Sequence, residues 1–311
     1  MLDGPSILYD QLFYRSLLIR KFEEKIIELY PSDKIQSPVH LSIGQEAVAI
    51  GVCSNLTKND LLFGTYRSHA YYIAKGGKLT EMMAELYGKV TGSSKGKAGS
   101  MHLADPHVGM MGSSAVVAST IPHAIGAALA ARNLKKDQII VSVFGDGATD
   151  EGVYHESINF AAVMNLPVLF ICENNNLAVH SFQKDRQSFK INEHANSYGI
   201  ASEKISEGYD FLKIHERVKE NLHLLIKEGK PRLLEIETSR YCEHVGPGED
   251  FDAGYRSSND YENWKSKDPL INDKESIKRF LPEIEEEIQN AVNFAEDSPW
   301  PDAEELLTDI T

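Results

Sequence analysis

Apolar positions recur along this chain in two rhythms. Leu12, Leu17, Ile19, Phe22, Ile26 and Leu29 fall at helical spacing within residues 7–29, and residues 44–55, 79–90 and 119–133 predict further helices. The run from Gln138 to Phe144 is short, mostly apolar and β-branched, and it ends in Gly145-Asp146-Gly147, as expected for a strand buried on both faces. A helix over about 152–164 follows, and then Leu166 to Cys172 reads as a second strand. Strand, helix and strand within residues 138–172 make a βαβ unit, which predicts a parallel sheet with a right-handed crossover. Arg232 to Thr238 predicts a later strand, and residues 241–260 a polar, glycine-rich loop long enough to suspect function. Beyond it Ile277, Leu281, Ile284, Ile288, Val292 and Ala295 keep helical spacing, with Glu285, Glu286 and Glu287 on the outer, solvated face.

No repeat, low-complexity tract or linker interrupts this pattern, so the 311 residues read as a single α/β domain with a parallel sheet and helices on both faces. We divide it into a helical N-terminal extension (1–60), a core (61–240), and a loop with a C-terminal helical segment (241–311). Composition is that of an ordinary folded protein, 42% hydrophobic and 25% charged. The 46 acidic against 32 basic side chains, net −14, argue against nucleic-acid or anionic-membrane partners, because phosphate surfaces recruit Lys and Arg. Most of that charge is late: from Glu249 onward there are 18 acidic and 6 basic residues. Cys53, Cys172 and Cys242 form no Cys-x-x-Cys pair, which suggests neither a disulfide framework nor a zinc cluster. With no signal-like N-terminus and no long apolar span, the expected location is cytoplasmic.

Ligands of α/β sheets sit beyond the carboxyl ends of the strands, and both conspicuous polar clusters fall there. Gly145-Asp146-Gly147-Ala148 follows one strand and Glu173-Asn174-Asn175-Asn176 the next. Singly, each is a common turn or loop. Together they set Asp146 and Asn175 at the tops of two strands joined by one crossover, where a carboxylate and an amide oxygen suit Mg²⁺. The glycines let the backbone approach a phosphate at the following helix N-terminus.

The stretch GDGATDEGVYHESINFAAVMNLPVLFICENNN resembles the thiamine-diphosphate motif of the α subunits of 2-oxoacid dehydrogenase E1 components. HLSIGQEAVAIGV (40–52), TYRSHAYYIAKG (65–76), AELYGKVTGSSKGKAGSMHL (84–103), IPHAIGAALAA (121–131) and AEDSPWPDAEELL (295–307) are similar to further blocks of pyruvate, branched-chain and acetoin dehydrogenase E1α chains, in the same order. The resemblance implies the thiamine-diphosphate-binding fold and an enzyme that decarboxylates a 2-oxoacid or cleaves an acyloin, passing the acyl group to an acceptor such as a lipoyl domain. It implies thiamine diphosphate and Mg²⁺ as cofactors. Asp146 and Asn175 would be Mg²⁺ ligands, with the main-chain carbonyl of Leu177, where the family usually has Tyr, as a third. Tyr66 and Arg67 would hold the diphosphate, Gly145, Gly147 and Ala148 would offer it backbone groups, and Ala115 and Val117 would meet the aminopyrimidine. His244 would reach the diphosphate and the reacting centre as a catalytic residue. His69, the second catalytic candidate, and His102 are as well read as structural histidines. Asp150, Glu151 and Glu156 receive no catalytic role. Ser93-Ser94-Lys95-Gly96-Lys97 reads as an exposed loop before a phosphate site.

The glutamate that activates the pyrimidine ring lies in the family's β subunit, and this chain has no second α/β domain to replace it. The resemblance therefore implies a chain inactive alone and an α2β2 heterotetramer, with a lipoyl acyltransferase as a further partner. Two departures bear on the substrate. After ENN the chain reads NLAVHSFQKDRQ, with an unexpected His180. Val245 stands where many relatives have a Ser, and the following GPGEDFDAGYR is long and acidic, with Glu249, Asp250 and Asp252 close together. They keep open an acyl or acyloin transferase of sugar or secondary-metabolite synthesis. The N-terminal half of a split transketolase is a further alternative, although that family more usually has Ser-Lys-Gly-His where Tyr66-Arg67-Ser68-His69 stands here.

Overall fold

The computed structural model describes residues 4–35 and 37–308, so both outer bounds of the 1–311 division lie outside the described residues. Among the described residues eight strands occur: β1 Leu61–Phe63, β2 Met110–Gly112, β3 Ile140–Gly145, β4 Val168–Asn174, β5 Leu177–Ala178, β6 Ser181–Phe182, β7 Ala201–Ile205 and β8 Arg232–Glu237. Six of them build one sheet in the order β2-β1-β3-β4-β8-β7, and every pairing in it is parallel. β5 and β6 form a separate antiparallel hairpin.

Alternation along the central strands explains why helices cover both faces. Val141, Val143, Leu169, Ile171, Leu234 and Ile236 point into the larger apolar cluster, with the helices Gly4–Leu29, Glu46–Cys53, Phe211–Glu228 and Lys274–Asp297. Ile140, Phe144, Val168, Phe170, Cys172 and Leu233 point the other way, against Thr120–Asn133, Gly152–Val163 and Ile191–Ser197. Among the described residues, no helix is long and apolar enough to cross a membrane.

Besides short or edge strands, a helix and a loop depart from the sequence expectations. The helix Phe211–Glu228 lies outside the expected elements, although Phe211, Ile214, Val218, Leu222 and Leu225 are buried along one stripe. The 241–260 segment is loop only in its first part. A short 3₁₀ turn, Phe251–Ala253, and a helix, Ser258–Lys265, occupy the rest, anchored by Phe251 packing on Tyr261 at 4.9 Å between ring centroids.

A buried ion network ties the N-terminal helix to the start of that loop. Arg20, 4% exposed, donates to Glu46 and to Asp268, each at 2.9 Å. Tyr241 donates to the same Asp268 carboxylate at 2.9 Å. Removing one partner of such a network leaves charge buried without compensation. Arg20→Met is therefore expected to lower unfolding stability by about 3–5 kcal/mol in urea titrations; a loss no larger than a surface pair's, below about 1 kcal/mol, would contradict the role.

Candidate active site

Register places the two polar clusters side by side. Gly145 pairs with Glu173 across β3 and β4, so Asp146 and Asn175 leave the sheet at the same edge. The chain then turns through a 3₁₀ segment, Asp146–Asp150, into the helix Gly152–Val163. Gly147 is required here by space: a Cβ at this position would lie 2.9 Å from the Cβ of Ala178, so any side chain would push the β5–β6 hairpin off the turn.

A cavity of about 240 Å³ opens beyond these strand ends. Tyr66, Arg67, Val117, Gly145, Asp146, Gly147, Ala148, Asn175, Leu177 and His244 all line it. Ala115 is not among the lining residues, although its neighbours Ser114 and Val116 are. His69 lies elsewhere: fully buried, its Nδ1 faces Glu23 Oε1 at 3.1 Å and its Nε2 faces Ser100 Oγ at 2.7 Å, so both ring nitrogens are engaged by the fold. His102 is exposed and also outside the lining. The Ser93–Lys97 loop does hold an anion, and that anion is internal. The N–H groups of Ser94, Gly96, Ala98 and Gly99 donate to the buried Glu85 carboxylate at 2.7–3.0 Å.

Asp146 is 2% exposed, and burial pushes its carboxyl up to about 6 against the pull of Arg186 and of backbone N–H groups. Arg186 donates from Nη2 to Asp146 Oδ2 and from Nη1 to Asp150. Asn175 is oriented from both sides, its Nδ2 donating to Gln45 Oε1 at 2.9 Å and its Oδ1 accepting from the Leu177 N–H at 3.1 Å. The chain thus offers an oriented carboxylate, an oriented amide oxygen and the nearby Leu177 backbone on one wall. Hard oxygen donors of this kind fit Mg²⁺, and the pairing with Arg186 shows that the site accepts positive charge.

Other residues of the lining are cationic and aromatic. Arg67, 6% exposed, donates from Nη1 to the Leu41 carbonyl at 2.7 Å and from Nη2 to the His244 carbonyl at 3.0 Å, which fixes the loop that carries His244. Burial lowers Arg67 to about 10, so it remains charged at neutral pH and suits an anionic ligand. The His244 ring packs edge-on against His40 and Tyr66, with centroids 5.1 and 5.6 Å away. Its Nδ1 faces Arg67 Nη2 at 3.5 Å; Arg67 has only donors, so Nδ1 accepts and the ring proton resides on Nε2. Burial, then Arg67 and Arg240, lowers His244 to about 4, and burial with Arg67 lowers His40 to about 3.

Both imidazoles are therefore neutral at pH 7, with a consequence for stability. Each takes up a proton near 6.5 when unfolded but only near 4 or below when folded. As pH falls through that window the unfolded state binds more protons and the folded state loses ground. We expect His40→Asn and His244→Asn each to flatten the decline in urea stability between pH 6.5 and 4, by up to about 1.4 kcal/mol per pH unit. An unchanged slope in both variants would contradict the neutral pair.

The acids of the 249–252 loop do not crowd this cavity. Glu249 and Asp252 are exposed, whereas Asp250 is buried and paired with Arg256 Nε at 2.6 Å and with Arg240 at 3.4 Å. With Val179, His180, Glu243 and His244 they border a second cavity of about 390 Å³, which shares Val179 and His244 with the first. The His180 ring packs at a tilt against Tyr255, 4.7 Å between centroids, and does not line the inner cavity. Gln45 lies in the 40–52 block without a role assigned there, and Val179 and Arg186 are residues of this region that no motif announces.

Residues 14–304 match the family model described as dehydrogenase E1 component. The chain belongs to this family. Among its relatives, the α subunit of acetoin:2,6-dichlorophenolindophenol oxidoreductase from Bacillus subtilis is 36% identical, over 99% of this chain and 96% of the relative. The pyruvate dehydrogenase E1 component α subunit of Rickettsia bellii is 34% identical over 97% of this chain and 95% of its own length. A second acetoin:2,6-dichlorophenolindophenol oxidoreductase α subunit, from Cupriavidus necator, is 35% identical over 99% and 95%. This E1 membership favours the dehydrogenase reading over the transketolase and transferase alternatives, and the parallel sheet with helices on both faces is the α/β architecture expected from the sequence.

Proposed function

We propose that this chain is the α subunit of a heteromeric thiamine-diphosphate enzyme that decarboxylates a 2-oxoacid, or cleaves an acyloin, and passes the acyl group to an acceptor such as a lipoyl domain. One observation carries the reading: Asp146 and Asn175, from adjacent strand ends, line a single cavity together with Arg67, Tyr66 and His244. That brings hard-cation donors and anion-holding groups to one cavity, as a metal-bound diphosphate requires.

Thiamine diphosphate, when bound, would supply the nucleophilic thiazolium carbon for the substrate carbonyl. The remaining roles fall to side chains and backbone groups of the protein. Asp146, Asn175 and the Leu177 carbonyl would hold Mg²⁺; Tyr66 and Arg67, with backbone groups of Gly145, Gly147 and Ala148, would hold the diphosphate. Val117, which lines the cavity, would meet the aminopyrimidine, and Ala115 would serve through its backbone. His244, neutral and carrying its proton on Nε2, would donate a hydrogen bond at the reacting centre. His69 would act at a distance, locking Glu23 and Ser100 behind the Tyr66–Arg67 segment. Residues 61–240 would form the cofactor-binding core, flanked by 1–60 and 241–311.

A β subunit would complete the site with the pyrimidine-activating Glu in an α2β2 assembly. The test is co-expression with a β-type partner and a screen of 2-oxoacids and acyloins using an artificial electron acceptor. Turnover of at least one of them in the presence of thiamine diphosphate and Mg²⁺ is expected; a correctly assembled, cofactor-loaded complex inert toward both classes would refute the proposal. His180→Ala in that complex is expected to change the relative rates among 2-oxoacids of different size, because His180 borders the outer cavity; an unchanged ranking would remove it from the substrate path.

A further inference from the structure

Arg186 ends the short helix Gln183–Arg186 that follows the β5–β6 hairpin, and its guanidinium lies against two carboxylates of the turn after β3. Nη2 contacts Asp146 Oδ2 and Nη1 contacts Asp150 Oδ2, while Nε is buried with no hydrogen-bond partner among the described residues. An orphaned donor is costly, so the carboxylates dictate where this side chain sits. The neighbouring Gln187 holds the same turn independently, its Nε2 donating to the Asp146 carbonyl at 3.1 Å, to Thr149 Oγ1 at 2.5 Å and to Asp150 Oδ1 at 2.7 Å.

Asp146 is almost wholly buried and needs a countercharge. Arg186 supplies it from one side. A divalent cation on the same carboxylate would supply it from the other, and two cations within a few ångströms in a buried site repel strongly. Asp150, more exposed than Asp146, gives the guanidinium a second partner to retain, and Gln187 keeps the turn in shape if Arg186 moves.

We propose that Arg186 is a built-in counter-cation of the metal-free site: it neutralises Asp146 until a divalent cation binds, and is then displaced onto Asp150. Metal uptake is on this account an exchange of cations, coupled to a movement of the Arg186 side chain while Gln187 holds the turn. The inference rests on the assignment of Asp146 as a metal ligand made above.

The test titrates Mn²⁺, followed by its paramagnetic resonance signal, into the full chain assembled with its β partner and an excess of thiamine diphosphate. Arg186→Gln is expected to bind Mn²⁺ about tenfold more tightly than wild type, because the competing charge-assisted bond is gone. Its metal-free form is expected to melt below metal-free wild type, and the two to coincide once loaded. Equal or weaker Mn²⁺ binding by the variant, or the same loss of melting temperature in both states, would overturn the proposal. If metal-free Arg186→Gln does not fold, rescue by Mn²⁺ and thiamine diphosphate supports the exchange and failure of rescue overturns it. Wild type that takes up no Mn²⁺, or an Asp146→Ala variant that binds it as wild type does, would instead refute the ligand assignment, and the exchange with it.

Discussion

Asp146→Ala is expected to abolish turnover in the assembled complex, with at least a ~100-fold fall in rate at cofactor concentrations that saturate wild type. The carboxylate is the sole charged group in the proposed ligand set, and an amide oxygen with a backbone carbonyl holds a small, strongly hydrated dication poorly. The fold should survive. Thr149 Oγ1 bonds the Asp146 backbone carbonyl at 2.7 Å and Gln187 bonds it at 3.1 Å, and neither contact uses the carboxylate. Arg186 keeps Asp150. Circular dichroism and melting should therefore stay close to wild type while activity disappears. A variant retaining a tenth or more of the wild-type rate would place the metal elsewhere.

The second large effect concerns the chain by itself. Purified without a partner, it is expected to turn over 2-oxoacids at least ~100-fold more slowly than the complex, the scale on which one acid–base group contributes. The carboxyl groups lining the cavity are Asp146, Asp150, Glu151 and Glu173. Asp146 and Asp150 are committed to Arg186 and the turn. Glu173 sits on β4, buried, and burial pushes it up to about 8, with Tyr71 and Arg67 pulling the other way. Glu151 is exposed, so among the described lining residues the protonated Glu173 is the buried candidate for the role given to the β subunit. Full activity of the lone chain would therefore point to Glu173 and end the shared-site account; a comparison of lone and assembled protein at matched cofactor concentration decides it.

Much of this architecture is legible in the residues. The strands after Gln138 and Leu166 are apolar on both faces because both faces carry helices, and such strands announce themselves without a partner in view. The GDG turn and the Asn run follow from the same two strands, which is why the spacing alone pairs Asp146 with Asn175. β1 and β2 are three residues each, too short to show a period. β7 lies at the sheet edge, and Ala201 and Lys204 are exposed, so its sequence carries no apolar signal. Phe211–Glu228 is different: its stripe is as regular as that of the N-terminal helix and is open to reading.

The site divides along the same line. Gly147, Asp146 and Asn175 are required by local chemistry near one strand edge, whereas Gln45, His40 and Arg186 reach the cavity region from segments distant in sequence or irregular in shape. Gln45 precedes the helix Glu46–Cys53 and meets Asn175 across 130 positions, a contact that no spacing rule encodes. His69 shows the converse. It sits beside Arg67 in the sequence, but it begins the helix His69–Lys75, and its side chain turns into the core toward Glu23.

The most direct measurement of the central claim is calorimetric titration of thiamine diphosphate into the chain assembled with its β partner, in Mg²⁺ and again after chelation. One cofactor bound per αβ pair, lost when the metal is removed, is the predicted result. Undiminished binding after chelation, or none under either condition, would contradict a metal-held diphosphate on the ends of these strands.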